Sequence, residues 1–252
     1  MTRLTQIAAA AALAAATALP AAAFDIDAMS PAERAAFNDA VRAYLLENPE
    51  VIMEAVQVLE ARQAAAQQDA DAALISANAE ALFDDGVSWV GGNPEGDVTV
   101  VEFLDYKCGY CRRAFSEVER LVDSDDDVRL ILKEFPILGE ESMRASRFAI
   151  ATRNVAGADA YKTVHDQLMT LNGTINDAAL GRLAREAGLD ADAILAAMGD
   201  DAVTDELRAN RALAQTLQIS GTPAFVMEDT LVRGYIPFDR MQAMVADARA
   251  AE

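Results

Sequence analysis

The feature that most constrains the fold is a β-rich run that ends just before two closely spaced cysteines. The segment from Val98 to Leu104 has few polar residues, which is typical of a central strand buried on both faces. Cys108 and Cys111 follow, and a helical stretch runs from Arg112 to about Val122. The sequence therefore predicts a strand that leads into a helix whose first turn carries both thiols.

This placement makes the cysteine pair chemically interesting. The chain has only two cysteines, and a bridge between Cys108 and Cys111 closes too small a loop to constrain the unfolded chain much. A helix N-terminus favours negative charge, so it lowers the pKa of the Cys108 thiol. The thiolate is the attacking species in disulfide exchange. Cys111, one helical turn further on, is close enough to resolve the mixed disulfide.

Glu102 is a carboxyl group within the otherwise apolar strand, and it has two interpretations. The strand could lie at a sheet edge with Glu102 in solvent. Alternatively, Glu102 is a buried acid behind the thiols that helps to move the proton of Cys111. Lys133, in a second predicted strand from Val128 to Phe135, is a candidate charge partner for it.

The pair Thr222-Pro223 begins a third predicted strand, which ends at Met227. Because proline cannot donate a ladder hydrogen bond, this position can leave a backbone edge open to an extended peptide. A short strand from Leu231 to Arg233 and a closing helix from Pro237 follow. The element order predicts an α/β fold in which a long helical block, about 139–218, is inserted between the strands. Residues 91–97 are predicted to form a turn cluster.

The segment from Glu102 to Cys111, together with Gly221-Thr222-Pro223-Ala224-Phe225, resembles the thioredoxin fold of the DsbA-like family over about residues 85–252. The resemblance implies that Cys108 is the nucleophile, that Cys111 resolves, and that Pro223 is cis and lies with Thr222 beside the disulfide. Glu102 matches the buried acid of thioredoxin-like proteins, and the long helical block resembles the family's inserted helical domain.

The dipeptide Gly109-Tyr110 differs from the Pro-His of strongly oxidising DsbA and is similar to that of the disulfide isomerase DsbC. With Thr222, it is the expected substrate-binding surface. The resemblance favours an isomerase or reductase, with a DsbA-type dithiol oxidase as the alternative.

The first 84 residues divide into two predicted parts. Residues 1–23 have an early arginine, a short apolar stretch and the small-residue run Ala21-Ala22-Ala23, which predicts a cleaved signal peptide and a periplasmic location. Residues 24–84 are predicted to be helical, beginning with a capping box at Ser30 and Glu33. Residues 30–65 resemble the N-terminal segment of suppressor of copper sensitivity protein C, which implies a homo-oligomer formed through about residues 30–80.

The remaining observations limit the classes of partner. A net charge of −20 opposes binding to nucleic acid. No organic cofactor is needed, since the electrons of exchange reside on two sulfurs. His165 is the only histidine, so a four-ligand zinc site is hard to build, and no metal ligand is assigned. Two thiolates do suit copper(I), which stays an alternative role. The expected partners are cysteine-containing exported proteins and a membrane redox partner.

Overall fold

The computed structural model describes residues 28–251, so the predicted signal peptide lies outside the described residues. Contacts divide the described residues into two compact units, which meet between Arg62 and Gln63. The first unit contains α1 (Pro31–Glu47) and the first part of α2 (Glu50–Ala77). The predicted capping box is present, since the Ser30 hydroxyl accepts from the amide of Glu33 and the Glu33 carboxylate accepts from the amide of Ser30.

The second unit begins within α2, earlier than the boundary near residue 84 that the sequence predicts. Asp71 and Ile75 of α2 are already buried. Ile75 joins Leu82, from the short helix α3 (Ala79–Phe83), in an apolar cluster. The second half of α2 therefore packs with the residues that follow it.

A five-stranded sheet forms the centre of the second unit. Its order is β1-β3-β2-β4-β5, in which β2 and β3 are parallel and the other pairs are antiparallel. The strands are β1 (Trp89–Gly92), β2 (Val98–Leu104), β3 (Val128–Glu134), β4 (Ala224–Met227) and β5 (Thr230–Arg233). The central position of β2 explains its apolar composition, because both of its faces are covered.

Helices cover both faces of this sheet. The helices of the second unit after β2 are α4 (Gly109–Ser124), α5 (Glu140–Ala156), α6 (Ala158–Thr170), α7 (Asp177–Glu186), α8 (Ala191–Ala197), α9 (Asp201–Thr216) and α10 (Phe238–Ala251). Helices α5 to α9 lie between β3 and β4, in the segment predicted to be an inserted helical block. Val100 and Leu132 face one apolar cluster, whereas Val101 and Ile131 face the other, as strand alternation requires.

Strand β1 includes the first two residues of the predicted turn cluster, whereas Pro94 and Glu95 do form a turn, which the hydrogen bond from the Gly96 amide to the Asn93 carbonyl closes. Gly91 and Gly92 are paired with β3 rather than placed in a turn. A side chain at Gly91 would meet the indole ring of Trp89 at 1.9 Å. That ring in turn stacks on Tyr161 with centroids 5.8 Å apart. Close packing of the indole, rather than turn formation, therefore explains Gly91. Within residues 28–251, no helix combines the length and apolarity needed to cross a membrane.

Candidate active site

The two cysteines lie where the central strand passes into α4. Cys108 is the N-cap residue of α4 and Cys111 lies in its first turn; both thiols are free and both residues are buried. The Cys108 thiol donates to the carbonyl oxygen of Thr222 at 3.1 Å. The backbone amide of Asp105 donates to the sulfur of Cys111 at 3.5 Å.

The surroundings of the two thiols differ, and this separates their acidities. Hydrogen bonds from the Cys111 thiol, from the Thr222 side chain and from the first amides of α4 outweigh burial and lower the pKa of Cys108 to about 5. Burial, followed by the hydrogen bond to Cys108 and the charge of Glu102, raises the pKa of Cys111. Cys108 is thus suited to attack as a thiolate, while Cys111 holds its proton.

Glu102 lies in the middle of the sheet, which excludes the solvent-facing interpretation. Its neighbours in register are Leu132 on β3 and Phe225 on β4, and its side chain is buried. Burial, with smaller contributions from nearby negative charges, raises the pKa of Glu102 to about 8. Its Oε1 has no hydrogen-bond partner among the residues that the structure describes. Glu102 is therefore a buried acid that can exchange a proton near neutral pH.

The predicted pairing of Glu102 with Lys133 is wrong. The Lys133 ammonium lies 2.5 Å from Asp85 and donates to the carbonyl oxygen of Ala81 at 2.8 Å. In the parallel register Lys133 aligns with Phe103, not with Glu102. Since neighbouring residues of a strand point to opposite faces, Lys133 and Glu102 lie on opposite sides of the sheet.

The remaining predicted site residues meet beside Cys108. The Thr222–Pro223 peptide bond is cis, as the resemblance implies. Pro223 is buried, Thr222 is half-buried, and the Thr222 carbonyl contacts the Cys108 thiol. Gly109 is exposed, and the Tyr110 side chain is 62% exposed. The structure thus brings together the surface on which the sequence predicts substrate binding.

Asp105 is a site residue that sequence reasoning missed. It is fully buried, and its carboxylate accepts from the backbone amides of Lys107, Ile137 and Leu138 at 2.8 to 3.0 Å. It therefore fixes the segment before Cys108 against the segment after β3. An acid directly after an apolar strand and before the cysteines is the signal that could have found it.

Metal ligands are not grouped anywhere in the described range, which holds no cluster of three or more His, Cys, Asp or Glu residues suited to an ion. Copper(I) binding by the two thiols alone would not appear in such a cluster. The copper alternative therefore stays a prediction.

Comparisons with known proteins agree with this geometry. A family model described as a DSBA-like thioredoxin domain matches residues 99–246, and one described as the copper resistance protein ScsC N-terminal domain matches residues 33–66. A thioredoxin-like oxidoreductase of Silicibacter pomeroyi DSS-3 is 47% identical, with a TM-score of 0.65, over 69% of this chain and 98% of that one. Proteus mirabilis ScsC in a transitional conformation is 26% identical, with a TM-score of 0.64, over 89% of this chain and 100% of that one.

Similarity among curated proteins covers only part of each relative. The Na(+)/H(+) antiporter NhaA 3 of Salinispora tropica is 28% identical over 64% of this chain, but over only 25% of its own length. The chain thus spans about a quarter of the curated relatives that it matches. The family model, in contrast, covers more than half of this chain and includes both cysteines, Glu102 and the cis-proline. The chain belongs to the DsbA-like thioredoxin-domain family.

Proposed function

We propose that this protein is an exported thiol–disulfide oxidoreductase that exchanges disulfides with cysteines of exported proteins, as an isomerase or reductase. The observation that carries the proposal is the asymmetry of the thiols. Cys108 lies at the N-cap position of α4 beside Thr222 and its pKa is lowered, whereas Cys111 lies in the first turn, contacts the amide of Asp105 and its pKa is raised. A nucleophile and a separately protonated resolving group are what two-step exchange requires.

The reaction follows from this asymmetry. The Cys108 thiolate attacks one sulfur of a substrate disulfide, forming a mixed disulfide and releasing one substrate thiolate, which takes up a proton. Cys111 then loses its proton, with Glu102 as the nearby acceptor, and its sulfur attacks Cys108. The substrate leaves as a dithiol and the enzyme as a disulfide, so two electrons pass to the substrate. In isomerisation, a second substrate thiolate instead attacks the substrate sulfur of the mixed disulfide. A new substrate disulfide forms, Cys108 leaves as the thiolate, and the enzyme returns as the dithiol.

The exposed surface around Cys108 supports a protein substrate. Tyr110 and Gly109 are open to solvent, and Thr222 borders the thiol from the strand side. An extended peptide could contact these three residues while its disulfide approaches Cys108. A membrane redox partner that resets the pair would use the same opening.

The test is exchange with a disulfide-containing protein such as insulin. Cys108→Ala is expected to abolish reduction, and Cys111→Ala is expected to accumulate a mixed disulfide because it cannot resolve. Full exchange by Cys108→Ala would overturn the proposal. The redox state of the pair in cells separates the directions, since a reduced pair indicates an isomerase or reductase and an oxidised pair a dithiol oxidase. Copper(I) binding without exchange would favour the copper alternative.

We also propose that a second copy of the chain covers the apolar side chains of the first unit. Helix α1 has no buried residue. Exposed apolar side chains recur at intervals of three and four residues in both helices, at Phe37, Val41 and Tyr44 in α1 and at Ile52, Val56 and Leu59 in α2. This spacing is typical of helices that pair along one stripe.

Light scattering of point variants tests the oligomer. Val56→Glu places a charge on the stripe and is expected to lower the mass, whereas Gln57→Glu, its exposed neighbour, is the matched control. Isomerase activity is expected to fall with the mass, while reductase activity remains. A deletion that removes the helices of the first unit should end at Arg62, because Asp71 and Ile75 are packed in the second unit. If Val56→Glu and the truncated chain form particles with as many copies as wild type does, the proposed oligomer interface is overturned.

A further inference from the structure

A buried cluster of hydroxyl groups surrounds the carboxylate of Glu134, the last residue of β3. Its Oε1 accepts from the hydroxyls of Tyr106 and Tyr161, each at 2.7 Å, and its Oε2 accepts from Ser146 at 2.7 Å. All four residues are buried. The three donors come from separate segments, namely the loop after β2, α6 and α5. One carboxylate therefore connects the sheet, the inserted helices and the loop of residues 105–107 after β2, which is called the active-site loop below.

The geometry favours the ionised form of this carboxylate. Three O–H donors point at two oxygens, so a proton on Glu134 would force one donor to find another acceptor. Tyr106 has one hydroxyl proton, and it donates this proton in its hydrogen bond to Glu134. The Nδ1 atom of His165, 3.0 Å from the same hydroxyl, is then the donor of that contact. Burial lowers the pKa of His165 to about 3, so the ring is neutral at pH 7.

Tyr106 connects this cluster to the thiols. Its carbonyl oxygen accepts from Nε of Arg112 at 2.9 Å, and Arg112 directly follows Cys111. The Arg112 guanidinium also donates to the carbonyl oxygens of Leu168 and Leu171, where α6 ends. The residue before Tyr106 supplies the amide that contacts the Cys111 sulfur. A shift of Tyr106 would therefore change two contacts next to Cys111, the one with Arg112 that follows it and the one between the Asp105 amide and its sulfur.

We propose that Glu134 is a positioning residue for disulfide exchange, acting through Tyr106 to hold residues 105–107 and the thiol pair against the inserted helices. The biological role of Glu134 rests on the proposed function. The positioning itself does not, because it is measured as the reactivity of the Cys108 thiol. Glu134 does not touch the sulfurs, so its effect must pass through the loop.

Protonation of Glu134 should loosen this contact. Burial, opposed by the three hydroxyl donors, raises the pKa of Glu134 to about 7. The charged and titratable groups that face the cluster come from every neighbouring element. They are Tyr106 in the loop, Arg153 in α5, Tyr161 and His165 in α6, Glu206 in α9 and Glu102 in β2. Among them, Arg153 pairs with Glu206 and His165 stays neutral. Burial raises the pKa of Glu206 as well, and it raises the pKa of Glu102 to about 8.

The experiment measures alkylation of Cys108 by iodoacetamide in the full chain, which does not depend on any protein substrate. Tyr106→Phe and Tyr161→Phe form a matched pair, because each removes one buried hydroxyl from the same oxygen of Glu134. Only Tyr106 lies in the active-site loop. Tyr106→Phe and Glu134→Gln are expected to slow alkylation roughly tenfold, the rate equivalent of about 1.4 kcal/mol. Tyr161→Phe is expected to lower stability similarly but to change the rate less than about twofold.

The alkylation rate of a double variant and the pH profile of the wild-type rate test the same contact independently. The double variant of Tyr106 and Glu134 should be no slower than either single variant, because both act through one contact. The wild-type rate should show a step near pH 7 that Glu134→Gln lacks. Equal rates for the two tyrosine variants, or a Glu134→Gln profile identical to that of the wild type, would overturn the proposal. If these results hold but insulin exchange is absent, the proposed function fails and the positioning role stands.

Discussion

Glu102→Gln should change how stability depends on pH, because Glu102 is the acid most strongly affected by burial next to the thiols. Burial raises its pKa from 4.5 to about 8. A carboxyl whose pKa is higher in the folded chain contributes stability that is fully present below the unfolded pKa. That contribution is lost as the pH rises through the folded pKa. Wild type should therefore lose stability relative to Glu102→Gln between about pH 4.5 and pH 8.

The magnitude follows from the shift. Each pKa unit corresponds to about 1.4 kcal/mol, so between pH 5 and pH 8 the variant should gain roughly 3 to 4 kcal/mol relative to wild type. The buried amide of the glutamine adds a cost of about 1 to 3 kcal/mol, which does not depend on pH. The informative quantity is therefore how the difference in unfolding free energy between wild type and Glu102→Gln changes with pH, not its value at one pH.

Urea unfolding of the reduced chains at intervals from pH 5 to pH 8 measures this change. Glu54→Gln, which replaces an exposed carboxyl on α2, controls for the loss of one charge. A difference between wild type and Glu102→Gln that stays constant within about 1 kcal/mol over this range would refute the reasoning. Glu102 would then ionise in the folded chain as readily as in the unfolded chain, which burial in a central strand does not allow.

Three further predictions concern neighbouring groups. Thiolate absorbance near 240 nm should rise with a midpoint near pH 5, and Cys108→Ser should remove this step while Cys111 stays protonated at neutral pH. Lys133→Met removes the charge partner of Asp85, which keeps its hydrogen bonds from Val87 and Ser88, and should cost about 3 kcal/mol in urea unfolding. It should leave the Cys108 titration unchanged, because Lys133 lies on the opposite face of the sheet. Asp105→Ala orphans three amides and should cost at least about 3 kcal/mol, and Asp105→Asn should recover part of this because it still accepts.

The sequence predicted the parts of the site that depend on local chain order. Cys108 and Cys111 follow a strand and begin a helix, and that order alone places the thiols at a helix N-terminus. Glu102 stands in an apolar run, and the central position of β2 confirms that it is buried. The long helical block between β3 and β4 is visible as a stretch without strand patterns. Each of these inferences needs only residues that are close in sequence.

The sequence could not predict contacts that depend on which face a strand residue takes and on what arrives there later in the chain. Lys133 and Glu134 are adjacent, yet one pairs with Asp85 and the other with hydroxyls from α5 and α6. Without the register of β3 against β2, the sequence cannot show that Lys133 lies on the opposite face of the sheet from Glu102. Tyr161 follows Cys111 by 50 residues, and no periodicity indicates that its hydroxyl lies beside that of Tyr106. A buried carboxylate needs partners wherever the fold supplies them, so the inserted helices, which contain neither cysteine, contribute to the environment of both.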